Sequence, residues 1–95
     1  MQLAVGRYLN TGTVAGFDIT IGFKPLWVEV WNCTSGDEYK WGHGMAAAAA
    51  FKRVTAGTAS ILTTLGITQN SNGFSVGLDT DIVVTSEQLT WVAIG

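Results

Sequence analysis

Ninety-five residues, 47% of them hydrophobic and only 13% charged, describe one soluble domain over residues 1–95, with too little chain for a second core. The formal charge is −2, and the five basic residues, Arg7, Lys24, Lys40, Lys52 and Arg53, form no stripe of the kind that nucleic acid demands, so no nucleic-acid partner is expected. A single cysteine, Cys33, excludes an internal disulfide, and with a single histidine it excludes a four-ligand structural zinc site within one chain; no metal or other cofactor is expected.

The first residues, Met1-Gln2-Leu3-Ala4-Val5-Gly6-Arg7, lack a basic start followed by an apolar core, so no signal peptide is expected. Residues 5–10 form a first short strand, ended by a turn at Asn10-Thr11-Gly12-Thr13, where Asn and Gly accept positive φ. Phe17, Ile19 and Ile21 alternate with Asp18 and Thr20, the pattern of a half-buried strand. Lys24-Pro25 then forces an extended step into the clearest strand of the chain, in which Leu26, Val28 and Val30 alternate with Trp27, Glu29 and Trp31. The pleat sends aliphatics to one face and two indoles around a carboxylate to the other, and both faces call for a cover. Asn32-Cys33-Thr34-Ser35-Gly36-Asp37 is a run of turn formers, after which Glu38–Trp41 returns antiparallel with Tyr39 and Trp41 on one face.

Gly42-His43-Gly44 breaks that strand. The five alanines between Met45 and Phe51 carry the highest helix propensity in the chain, but one or two turns are marginal without packing, so a short Ala-rich helix and irregular chain are both open here. The uncharged run over residues 54–78 is long enough to span a bilayer, yet its Thr, Ser, Asn and Gly do not belong in hydrocarbon, and no membrane association is expected. From Ala59 onward strands are predicted at 60–65, 74–78, 82–85 and 89–94. Seven or eight short strands punctuated by turn residues predict an all-β fold, a small antiparallel β-sandwich or jelly-roll-like domain.

Several groupings invite chemistry. Gly42-His43-Gly44-Met45-Ala46-Ala47 formally fits a dinucleotide-binding pattern but lacks the parallel strand, the full helix and the later acidic residue. Cys33 and His43 could supply a thiol and a base, yet no orienting group or oxyanion site accompanies them, and a buried cysteine with a turn histidine is preferred. Asp79, Asp81 and Glu87 suggest calcium without the ligand spacing of the known loop. Asn32-Cys33-Thr34 is a formal glycosylation acceptor with no secretory route to support it. No enzymatic activity is expected. The aromatics are more informative: Trp27, Trp31, Tyr39 and Trp41 are the candidate interface residues, as anchors between subunits or, for Trp27, Trp31 and Tyr39, as a platform on which sugars stack. The alanines add a surface on which backbones can approach closely, or serve as packing filler.

Val5-Gly6-Arg7-Tyr8 with Asn10-Thr11-Gly12-Thr13, then Ile19-Thr20-Ile21-Gly22-Phe23-Lys24-Pro25 and Val28-Glu29-Val30-Trp31-Asn32, resemble a pattern met in small structural proteins of tailed bacteriophages. Gly66-Ile67-Thr68, Asn72-Gly73-Phe74-Ser75-Val76-Gly77 and Leu89-Thr90-Trp91-Val92-Ala93 continue it, so the resemblance spans most of the chain, while the alanine run has no clear counterpart. The resemblance implies a β-rich, commonly trimeric protein without catalytic residues, acting either as a capsid decoration (cement) protein or as a tail-fibre module. A chain spent on one domain from its own methionine favours the first: a homotrimer in the virion, bound to the major capsid protein on the head surface.

Overall fold

Alternating apolar and polar residues become eight strands among the residues that the computed structural model describes, which are 1–9, 16–79 and 81–95. They are β1 (Leu3–Leu9), β2 (Phe17–Thr20), β3 (Trp27–Asn32), β4 (Glu38–Gly42), β5 (Ala49–Arg53), β6 (Ala59–Asn70), β7 (Gly73–Val76) and β8 (Gln88–Ile94). All belong to one sheet in the order β1-β8-β3-β4-β5-β6-β7-β2, with every neighbouring pair antiparallel. The all-β expectation holds, and its layering is one sheet curled over its own core rather than two separate sheets. The turn predicted at Asn10-Thr11-Gly12-Thr13 lies outside the described residues, as does Thr80.

β1 and β2, neighbours in sequence, are the two edges of the sheet. The curl brings them together at one end, where Tyr8 stacks on Phe17 with ring centroids 3.9 Å apart. At the other end Gln2 and Gly95 exchange both backbone hydrogen bonds, at 2.6 and 2.9 Å, and extend the β1–β8 ladder. The sharpest bend is in β6, whose first half pairs with β5 and whose second half pairs with β7. Leu65 turns through a positive φ of 61°, and the register against β5 shifts between Ala49 and Ala50. Gly66 has to be glycine here, because a Cβ would lie 2.4 Å from the Ala49 carbonyl oxygen.

Val28, Val30, Tyr39, Phe74, Ile67 and Leu89 fill the interior. Val28 and Val30 project inward as the alternation predicted, whereas Leu26 precedes β3 and stays 48% exposed. Two expectations are corrected. No helix forms in the alanine run: the chain turns through Ala46–Ala48, with φ of 63° at Ala48, and enters β5 at Ala49. So short a run cannot repay helix nucleation, whereas Ala49 and Ala50 are small enough to be buried where β5 meets the bend in β6. The strand predicted at 82–85 is also absent. Ile82 and Val83 are both fully buried, which one strand with one inward face cannot achieve; their backbone N–H groups bond to the Asp79 carbonyl, and the turn plugs one end of the curl.

Candidate functional site: the outer face of the sheet

β3 is third in the sheet, between β8 and β4, and Trp27, Glu29 and Trp31 stand on the surface that the curl turns outward. Cross-strand pairing builds this face in rows that run over four strands or more. Leu3, Ile94, Trp27 and Gly42 form one row, and Arg7, Thr90, Trp31, Glu38 and Arg53 another. Between them Val5, Val92, Glu29, Lys40 and Phe51 lie side by side. Trp27 is 41% exposed with its indole against Gly42, where a Cβ would stand 2.7 Å from a ring carbon. Glycine opposite an aromatic lets the ring lie against the sheet and leave its other side free. Leu3 and Val5 are exposed by 61% and 69%. A surface of this kind, apolar across adjacent strands, is the mark of an interaction face.

Charge on the face is balanced within it. Lys40 Nζ lies 4.0 Å from Glu29 Oε1 and 3.8 Å from Glu38 Oε1, and Arg53 Nη2 reaches Glu38 Oε1 at 2.7 Å. The Glu38 carboxylate is nearly covered by these neighbours, so the pairs fix the side chains of the face more than they attract a charged ligand.

The four aromatic candidates divide between the two sides of the sheet. Trp27 and Trp31 stand on the outer face, Trp31 half-buried between Thr90 and Glu38. Tyr39 and Trp41 point inward, at 0% and 3% exposure. Trp41 Nε1 donates to the Ala46 carbonyl at 3.1 Å, and the Tyr39 hydroxyl donates to the Leu65 carbonyl at 2.9 Å. Their orientation was signalled by Glu38 and Lys40, which alternate with them and belong outside. Leu3 and Val5 escaped sequence reading as members of the Trp27 face, because only the pairing of β1 with β8 brings them there.

The other groupings come apart. Cys33 is exposed, not buried, and follows β3, whereas His43 follows β4; the antiparallel pairing of these strands puts the two at opposite ends of the hairpin. Gly42 to Ala47 is a tight turn after an antiparallel strand, with Met45 N–H bonded to the Gly42 carbonyl at 3.0 Å. Asn32, the glycosylation acceptor of the sequence pattern, is fully buried and held by hydrogen bonds. Lys52 Nζ sits 3.0 Å from Asp79 and 2.6 Å from Asp81, so an ammonium occupies the place a cation would take, while Glu87 accepts instead from Asn32 Nδ2 at 2.7 Å. Among the described residues no three His, Cys, Asp or Glu side chains are grouped to hold a metal, and no pocket opens.

Lys52 and Tyr39 make stability sensitive to alkali. Burial alone would lower the Lys52 pKa, but Asp81 and Asp79 outweigh it and raise the pKa above its ordinary 10.5. Burial, reinforced by Asp79, drives the Tyr39 hydroxyl far above its ordinary 10.0. Both groups hold their protons more tightly folded than unfolded, so their contribution is complete below about pH 10 and is lost as pH rises beyond it. Urea unfolding between pH 8 and 11.5 is expected to show stability falling from about pH 10 upward. Tyr39→Phe should make that fall shallower while costing about 1 kcal/mol at neutral pH through the lost bond to Leu65. Ionisation of Tyr39 near pH 10 in folded protein, seen as the ultraviolet absorbance change that Tyr39→Phe removes, would contradict this.

Comparison of the chain with protein-family models, with curated proteins and with solved structures gave no match.

Proposed function

We propose that this chain is a capsid decoration protein of a tailed bacteriophage, which binds the outer surface of the assembled head and links neighbouring capsid subunits. The observation that carries the reading is the uncovered outer face around Trp27, Trp31, Leu3 and Val5, joined to the sequence resemblance described above. Stabilisation follows from linkage: a protein that contacts only the assembled lattice lowers its free energy relative to free subunits, increasingly so as sites fill. Self-association, as the homotrimer that the resemblance implies, multiplies modest contacts into a durable one. Trp27 is the anchor of the face, with Trp31 beside the ion pairs that set its orientation.

The alternative, a tail module that stacks host sugars, gains from the free side of the Trp27 indole and loses Tyr39, which the core has absorbed. Copy number per purified virion, by quantitative mass spectrometry against the major capsid protein, separates the two. Copies in the hundreds support decoration, a handful support the tail module, and none overturns both. Trp27→Ala should weaken binding to heads by about 30-fold, the loss of a central aromatic anchor worth about 2 kcal/mol, with the fold unchanged. Normal head binding by Trp27→Ala and Trp31→Ala together would remove this face from the interface.

A further inference from the structure

We propose that the free edge of β1 is a second contact surface, at which two copies of this chain join their sheets antiparallel about a two-fold axis at Val5. The direction of the backbone groups follows from the ladder. Gln2 and Gly95 exchange both bonds across the β1–β8 pair, so the even-numbered residues of β1 face β8, and the Gly6 carbonyl accepts from Thr90 Oγ1 on that side. Leu3, Val5 and Arg7 therefore direct their N–H and C=O groups away from the sheet. The order of strands ends at β1, and among the described residues no other strand pairs with that side.

The two edges are not equivalent. β2 has four residues and an outward carboxylate, Asp18, engaged by the Ser75 hydroxyl at 2.5 Å. β1 has seven residues, and Leu3 and Val5 on it are exposed with Arg7 as the sole charge. A long apolar edge with little charge is a template for another strand.

The sequence of β1 fits itself. With the axis at Val5, Val5 of one copy meets Val5 of the other, Leu3 meets Arg7, and Ala4 meets Gly6. The three pairs formed by Leu3, Val5 and Arg7 have their backbone groups directed at one another, and each exchanges two hydrogen bonds. The arginine stems lie over the leucines, and no like charges oppose. Moving the axis to Arg7 would set guanidinium against guanidinium. Moving it to Gly6 would extend the pairing to Tyr8 and Leu9, at the end of β1 where the curl brings β2 close and the Tyr8 ring stacks on Phe17. The union leaves the Trp27 faces of the two copies on one continuous sheet surface. It does not rest on the capsid reading, since it is a property of the isolated chain.

Sedimentation equilibrium of the purified chain from about 5 to 200 μM tests it, a range that brackets the micromolar affinity expected of a small interface. The expected mass is an even multiple of 10.1 kDa: a dimer, or a hexamer if the proposed trimer also forms. Val5→Pro removes an N–H that the β1–β8 ladder does not use, and Val5→Lys sets two ammonium groups against each other at the axis. Both should halve the mass and keep the circular dichroism spectrum, whereas Trp27→Ala should keep the even-numbered mass. A wild-type mass that stays an odd multiple throughout, or a Val5→Lys variant with the wild-type mass, overturns the proposal.

Discussion

Replacing Asn32 by aspartate is expected to cost about 3–5 kcal/mol at neutral pH, much of the stability of a domain this size. Asn32 is 0% exposed at the end of β3, and its amide makes four hydrogen bonds. Nδ2 donates to the Ile82 carbonyl at 2.9 Å and to Glu87 Oε1 at 2.7 Å, while Oδ1 accepts from the Thr34 and Ser35 N–H groups at 2.9 Å each. One side chain thus shapes the β3–β4 turn and ties it to the plug that closes the curl. A carboxylate could still accept from Thr34 and Ser35, but it would place negative charge against the half-buried Glu87 and a lone pair against the buried Ile82 carbonyl. Urea denaturation should show the loss, with Tm lowered by at least about 12 °C. Part of it should return as pH falls and the introduced carboxyl takes up a proton. A deficit below about 1 kcal/mol would mean that the network does not hold the turn.

Phe74→Ala should be comparably severe, at about 3–5 kcal/mol. Phe74 reaches across the interior from β7 and meets Trp91 of β8 edge-on, with centroids 5.4 Å apart and planes at 73°. Because the sheet curls, this contact joins strands near its opposite edges, so truncation removes apolar area and a tie that keeps the curl closed. Phe74→Leu should lose much less, about 1–2 kcal/mol, since it retains most of the volume. Chemical denaturation of the pair decides the matter: equal losses would show that the volume of Phe74 does not matter, and a loss below about 1 kcal/mol for Phe74→Ala would show that the side chain does not hold the curl.

How much of this was legible depends on whether the cause was local. The β3 alternation, the Pro25 step and the hairpin to β4 are local and were read from the sequence. Tyr39 and Trp41 were read as interface candidates, although Glu38 and Lys40, which alternate with them, mark theirs as the inward face. The alanine run misled because helix propensity is a property of isolated chain, while Ala49 and Ala50 were selected by a tight bend in β6, more than ten residues on. Ile82 and Val83 misled because a buried apolar pair reads alike in a strand and in a plug. Of the outer face, Trp27 and Trp31 were visible, but Leu3 and Val5 could join them only through a pairing that spans nearly the whole chain.

That pairing sets a condition on the birth of the protein. β1 leaves the ribosome first of the eight strands, and its in-sheet neighbour, β8, leaves last. Until then, among the described residues, β1 lacks the strand it pairs with, and so does the β8-facing side of β3. A nascent chain therefore carries β1 without its in-sheet neighbour until β8 has been made, and its folding must wait for contacts between distant segments, which form slowly. On a crowded polysome the nearest available strand belongs to the neighbouring nascent chain, so the yield of native protein should depend on translation density as well as on stability.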